Sequence, residues 1–253
     1  MKSSTDYKVS ANLAVLLVGD QKTGKSCVAM AFPDPFFLDL DRNMDSAVRV
    51  AGGKTFFYDQ PADENGVRVE DHLVYPRAMD MLKAAIVDPK VKTVVIDSLS
   101  TLSIFACAHI LSEVSRIEGK KIEQMRIQDF GRLHGLFQKL VTFLRASGKM
   151  VVVTSHQAYD KDEMTGALNY TLSIPGQMKH NFGSFFTDVW GTSTTAIAMG
   201  KTKYEIRTRP TGRHVALGTS IRSLDAAIDI TDKTPSQIWD LLAPKLSAVQ
   251  VKA

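Results

Sequence analysis

Apolar positions along this chain fall into two alternating periodicities up to about residue 156. Leu13 to Val18 is a continuous apolar run ending at Gly19, the pattern of a parallel strand covered on both faces. A helix is expected to start near Gly24. It should be short, because Pro33 and Pro35 bracket the entry to a second strand, Phe36 to Leu40. A short strand at Thr55 to Tyr58 and a polar loop through Gly66 precede a helix from about Glu70 to Val87. Thr93 to Ile96 is the next strong strand and ends on Asp97, and helices are read over Thr101 to Glu118 and Ile127 to Ala146. In the last of these, Ile127, Phe130, Leu133, Phe137, Leu140, Val141 and Leu144 recur at spacings of three and four, so one face is apolar. Lys149 to Thr154 is another buried strand. The alternation predicts an α/β fold: a mainly parallel central sheet with helices as crossovers on both faces.

After His156 the texture changes. Residues 157–184 carry Gly166, Pro175, Gly176 and Gly183 with few periodic apolar positions, which predicts a long loop. Val189 to Met199 and Lys203 to Thr208, joined by Gly200-Lys201, predict an antiparallel hairpin at the sheet edge. Thr234-Pro235-Ser236-Gln237 is a capping box that starts a final helix. With no internal repeat or low-complexity tract, residues 1–253 read as a single domain, a core over about 11–217 with a helical C-terminal extension over about 218–253.

Composition narrows the class. The 253 residues are 44% hydrophobic and 23% charged, which excludes disordered and fibrous chains. No apolar stretch approaches the roughly 18 to 20 residues of a membrane span. Lys2 and Lys8 precede the first apolar run as in a signal peptide, but that run ends in Gly19-Asp20-Gln21-Lys22 instead of a small-residue cleavage site, so a buried strand is expected there. Two cysteines, Cys27 and Cys107, supply no disulfide framework, and the histidines have no ligand-like spacing; a reducing cytoplasm fits, and a zinc site does not. The formal charge of +4 permits an anionic partner without demonstrating one.

Gly19-Asp20-Gln21-Lys22-Thr23-Gly24-Lys25-Ser26 fulfils G-x-x-x-x-G-K-[ST] between a strand and a helix start, with Cys27 next in line. Backbone N–H groups of such a loop bind phosphate oxygens; Lys25 would hold the β- and γ-phosphates and Ser26 would ligate Mg²⁺. Lys22 could lie over the phosphates or be a solvated loop lysine. Asp97, at the carboxyl end of an apolar strand, sits where ligands bind and could orient Mg²⁺ through a water. Hydrolysis also needs a group that positions the attacking water, for which Asp39 and Asp41 are candidates; alternation puts both on the same side, so spacing does not choose between them.

Phe37-Leu38-Asp39-Leu40-Asp41-Arg42-Asn43-Met44-Asp45 resembles the segment of RecA-type recombinases in which a strand ends with the catalytic carboxylate two residues after an Asp. Val94-Val95-Ile96-Asp97-Ser98-Leu99 is similar to the Walker B strand of that class, Thr154-Ser155-His156 to its γ-phosphate sensor, and Tyr204 to Pro210 to a segment of short phage and bacterial RecA-like ATPases associated with single-strand annealing. The resemblance spans roughly residues 11 to 215. It implies ATP and Mg²⁺ as ligands, Asp41 as the base and His156 as the sensor. Arg207 and Arg209, on one side of their strand, read equally as a solvated edge strand protected by charge; the resemblance implies that they reach the nucleotide of a neighbouring subunit in a homo-oligomer. An Asp stands where recombinases usually carry Glu, so its reach is shorter.

Two basic segments suit phosphates and unstacked bases: Arg116, Lys120, Lys121 and Arg126 between two helices, and a stretch with Tyr159, Lys161, Tyr170, Lys179, His180 and Phe182, diluted by Asp160, Asp162 and Glu163. The resemblance places DNA-contacting loops in both. The implied activity is therefore ATP hydrolysis coupled to single-stranded DNA in recombination or annealing, with room for a single-strand-binding protein as a further partner. A P-loop kinase for a small molecule and a nucleotide-gated DNA-binding scaffold with negligible turnover are the rival readings. The tandem acids and late hairpin argue against the kinase; the short Asp41 is compatible with the scaffold.

Overall fold

The computed structural model describes residues 13–62, 65–161, 164, 166, 168–211 and 216–247. Lys2, Lys8, Asp162, Glu163 and His214 lie outside the described residues. The chain runs β1 (Ala14–Gly19), α1 (Lys25–Ala31), β2 (Pro35–Asp39), α2 (Met44–Val50), β3 (Phe57–Asp59), α3 (Asp71–Val87), β4 (Thr93–Asp97), α4 (Leu99–Glu118) and α5 (Ile127–Ala146). It continues through β5 (Met150–Lys161), β6 (Leu168–Leu172), α6 (Met178–Asn181), a 3-10 turn (Phe182–Phe185), β7 (Asp188–Ala196), β8 (Thr202–Arg207), β9 (Ala227–Asp229) and α7 (Pro235–Ser247).

The sheet order is β3-β2-β4-β5-β1-β7-β8-β9. Strands from β3 through β7 pair in parallel, whereas β7 with β8 and β8 with β9 pair antiparallel. This is the expected α/β architecture. The strands are apolar on both faces because both are covered. Leu16, Leu38, Ile96 and Val153 face a core shared with α3, α4 and α5, and Val15, Leu17, Phe37, Val95 and Val152 face one shared with α1, α2 and α7. Every helix crossover leaves the carboxyl ends of β1, β2, β4 and β5 on one edge, where a ligand site of such a sheet forms.

Four features depart from the sequence reading. The segment expected as a long loop begins as strand: β5 continues to Lys161 and pairs antiparallel with β6, Tyr159 opposite Tyr170. Polar residues on both faces hid that hairpin, since it projects beyond the covered part of the sheet. α2 was not foreseen, because only Met44 and Ala47 of its seven residues are buried. β8 is not the edge, since β9 covers it. The C-terminal extension is part of the core: Ile228 of β9 and Ile238 and Leu242 of α7 are buried against Phe32, Trp190 and Ile206. Its capping box forms as expected, Gln237 Oε1 accepting from Thr234 N at 2.8 Å and Thr234 Oγ1 from Gln237 N at 3.4 Å.

Phe182, expected to stack on bases, is a core residue. It is 1% exposed, and its ring packs edge-on against Phe137 at 5.7 Å and Phe185 at 5.4 Å. Its aromaticity was read correctly and its exposure was not, because the 3-10 turn faces it inward. Phe182→Ala is expected to destabilise the protein by about 3–5 kcal/mol in urea unfolding. A loss under about 1 kcal/mol would show that the ring is not part of the packed core.

Candidate nucleotide-binding site

The carboxyl edge of the parallel sheet opens into a cavity of about 1300 Å³. It is lined by the phosphate loop, by Asp41, Asp97 and His156, and by Tyr204, Ile230 and Lys233. The loop's turn requires left-handed backbone at Lys22 (φ 61°) and Gly24 (φ 92°), a conformation glycine adopts freely. Gly19 is required by contact instead: a Cβ there would meet Thr192 Oγ1 at 2.3 Å. Thr23 ties the loop down, bonding Asp20 O at 2.8 Å and Thr192 Oγ1 of β7 at 2.7 Å. Lys25 is buried, its Nζ donating to Gly19 O at 2.9 Å and Asp20 O at 2.7 Å, so the amine sits inside the loop's curve.

Asp97 joins three elements. Its Oδ2 accepts from Ser26 Oγ of α1 at 2.7 Å and its Oδ1 from Thr154 Oγ1 of β5 at 2.5 Å. Burial pushes its pKa up, as does the charge of Asp41, while the hydrogen bonds from Thr154 and Ser26 and the charge of Lys25 oppose the rise. Burial likewise pulls Lys25 down, against the carboxylates of Asp97, Asp20 and Asp41.

Asp39 and Asp41 part company because β2 ends between them. Asp39, still in the strand opposite Asp97, is 1% exposed and accepts from Gln60 Nε2 at 2.5 Å and Asn43 N at 3.2 Å. Asp41 lies on the following turn, where Arg42 has φ 52°, and enters the cavity. Its Oδ1 accepts from Thr101 Oγ1 and, at 3.2 Å, from Ser98 Oγ; its Oδ2 lies 3.6 Å from His156 Nε2. Burial works to raise the Asp41 pKa, but the nearby His156 ring and the hydroxyls of Thr101 and Ser98 together leave it below the ordinary value. Burial raises that of Asp39.

A family model described as "AAA domain" matches residues 11–216. The chain belongs to this AAA domain family. No curated protein matches it. Among solved structures it is similar to a KaiC-like protein from the hyperthermophilic archaeon Pyrococcus horikoshii OT3, 16% identical over 80% of this chain and 81% of that one, with a TM-score of 0.43. It is also similar to the RadB recombinase, 14% identical over 81% of this chain and 84% of that one, with a TM-score of 0.45.

In this AAA domain the residues present fit Mg²⁺. A hydroxyl and a carboxylate, Ser26 and Asp97, converge beside the amine of Lys25. Mg²⁺ is typically held by one or two such groups with phosphate oxygens and waters, so no larger cage is needed. Among the described residues no cluster of three or more His, Cys, Asp or Glu side chains could hold a metal by itself.

The other predicted residues are placed as follows. Gln21, Lys22 and Cys27 line the cavity, and burial pushes the Cys27 thiol up to about 11. Asp20 accepts from Tyr159 Oη at 3.0 Å, joining the β5–β6 hairpin to the loop. Arg207 lies 3.5 Å from Glu205 and Arg209 bonds Thr219 O at 3.4 Å; neither lines this cavity. Arg116, Lys120, Lys121 and Arg126 each pair with an acid, respectively Glu113, Glu118, Glu123, and Glu118 with Asp129. Lys179 pairs with Asp160 at 2.8 Å, and Lys161 is exposed.

Sequence reasoning missed Ser98 and Thr101 as partners of Asp41, and the Tyr204 and Ile230 side chains beyond Gly24. The hydroxyl-rich run Ser98-Leu99-Ser100-Thr101 directly after Asp97 was the available signal for the first pair. Nothing local marked the second, which reaches the loop from about 180 and 206 residues away in sequence. Gly19→Ala is expected to weaken binding of a fluorescent ATP analogue at least tenfold and to cost about 1–3 kcal/mol in urea unfolding. Unchanged affinity would contradict the tight packing of the loop on β7.

Proposed function

We propose that this AAA domain binds ATP with Mg²⁺ and hydrolyses it to ADP and phosphate. The observation that carries the reading is the convergence, in one cavity, of Lys25, Ser26, Asp97 and a hydrogen-bonded Asp41. Lys25 exchanges its carbonyl partners for the β- and γ-phosphate oxygens. When bound, Mg²⁺ on Ser26, and on Asp97 through water, supplies charge neutralisation at those oxygens. Asp41 Oδ2 orients the water and takes its proton as the water oxygen bonds to the γ-phosphorus and the bond to the β-phosphate oxygen breaks. His156, within reach of the same Oδ2, reports the γ-phosphate. Tyr204 and Ile230 offer an apolar wall for the base.

The finer reading is a homo-oligomer acting on single-stranded DNA in recombination or annealing, with a single-strand-binding protein as a further partner. Its support is the motif resemblance to recombinases. Arg207 and Arg209 lie off this chain's own cavity, as residues serving a neighbour's nucleotide must. For DNA, the β5–β6 hairpin is favoured over the α4–α5 turn, since it continues directly from His156 and keeps Lys161 exposed.

Lys25→Ala is expected to abolish phosphate release while circular dichroism stays unchanged; near-normal hydrolysis would sink the assignment. Wild-type turnover is expected to rise with single-stranded DNA, and DNA affinity to fall linearly in log salt. Salt-independent turnover indifferent to DNA would count against the DNA partner. Phosphate appearing on an acceptor instead of in water would favour the kinase.

A further inference from the structure

Asp41 has no strand to hold it. It sits on a turn past the end of β2, and aspartate has the shorter of the two acidic side chains, so its reach toward a water is set by whatever fixes its carboxylate. Its hydrogen bonds come from the first turn of α4, while His156 Nε2 of β5 faces the other oxygen at 3.6 Å. Thr101 Oγ1 donates to Asp41 Oδ1, and Ser98 Oγ approaches the same oxygen at 3.2 Å and Thr101 Oγ1 at 3.3 Å. Ser98 is also the helix N-cap, accepting from Thr101 N at 3.4 Å, so Thr101 is held by the cap it contacts. In the same turn Ser100 Oγ accepts from His156 N at 3.0 Å. One helical turn, attached to the strand that carries Asp97, therefore fixes both the acid and the neighbouring histidine. Thr101 itself lines the cavity.

We infer that Thr101, backed by Ser98, is a positioning residue for the hydrolytic carboxylate: it holds Asp41 Oδ1 and leaves Oδ2 as the oxygen presented to the attacking water. The inference rests on the ATP-hydrolysis reading above. Elements holding a site are more precise than loops; here a helix lends that precision to an acid on a turn. The same hydrogen bond helps keep Asp41 ionised against burial. Its removal should raise the Asp41 pKa, so the acid limb of the turnover profile should move to higher pH. The other groups facing Asp41 are His156 from β5, Lys25 from α1, Asp97 from β4 and Asp39 from β2, all retained when Thr101 alone is changed.

The test compares Thr101→Val, which keeps the shape and loses the hydroxyl, with Thr101→Ser, which keeps the hydroxyl, and with Asp41→Asn. Thr101→Val is expected to lower kcat roughly ten- to hundredfold, with the KM for ATP within about twofold of wild type and the acid limb displaced upward. Thr101→Ser should recover most of kcat and the wild-type limb. If Thr101→Val keeps wild-type kcat and limb while Asp41→Asn is inactive, this inference fails and the hydrolytic role of Asp41 stands. If Thr101→Ser is as impaired as Thr101→Val, the hydroxyl is not what matters and the inference fails. Near-normal turnover by Asp41→Asn would overturn the underlying reading and this inference with it.

Discussion

The site depends on how one buried carboxylate is shared. Asp97 gives one oxygen to Ser26 and the other to Thr154, so α1, β4 and β5 are held in register at the edge where their chemistry meets. Burying a carboxylate is costly unless its oxygens are paired. Here both are, and the Lys25 amine lies close enough to oppose the cost. When Mg²⁺ is bound, Ser26 would hold it and Asp97 would orient it through a water, the same pair that is hydrogen-bonded here.

That constraint is met because the sheet is covered on both faces. α3, α4 and α5 seal one face and α1, α2 and α7 the other, so polar side chains at the strand ends are left to the edge cavity. The C-terminal strand and helix are as much a part of this as the phosphate loop. β9 covers β8, α7 packs on Phe32 through Trp239 at 5.5 Å, and Ile230 reaches the cavity. Thr192 on β7 anchors Thr23, so the antiparallel half of the sheet supports the loop directly. The β5–β6 hairpin extends from the same edge, contacting the loop through Tyr159 and Asp20.

What could be read from the chain alone divides along a physical line. Continuous apolar runs such as Leu13 to Val18, the helical periodicity over Ile127 to Ala146 and the capping box at Thr234 are local signals, and the corresponding elements form where expected. Gly19 to Ser26 and Asp97 are local signals too, and the structure places them at the expected strand-to-helix turn and strand end. Asp39 and Asp41 were not separable, because the end of β2 and the turn at Arg42 decide which one enters the cavity. Phe182 was misread because an aromatic in an irregular segment looks alike whether it faces solvent or core. The basic residues between α4 and α5 looked available for phosphates, yet acids close by in sequence and space pair with each of them.

Asp97 is thus proposed as the shared point through which the phosphate loop and Mg²⁺ act. The direct measurement is phosphate release from ATP by Asp97→Asn, titrated with Mg²⁺ and compared with wild type. The variant, folded by circular dichroism, is expected to release phosphate at least tenfold more slowly and to need more Mg²⁺ to reach its maximum. Wild-type release at the wild-type Mg²⁺ concentration would contradict it.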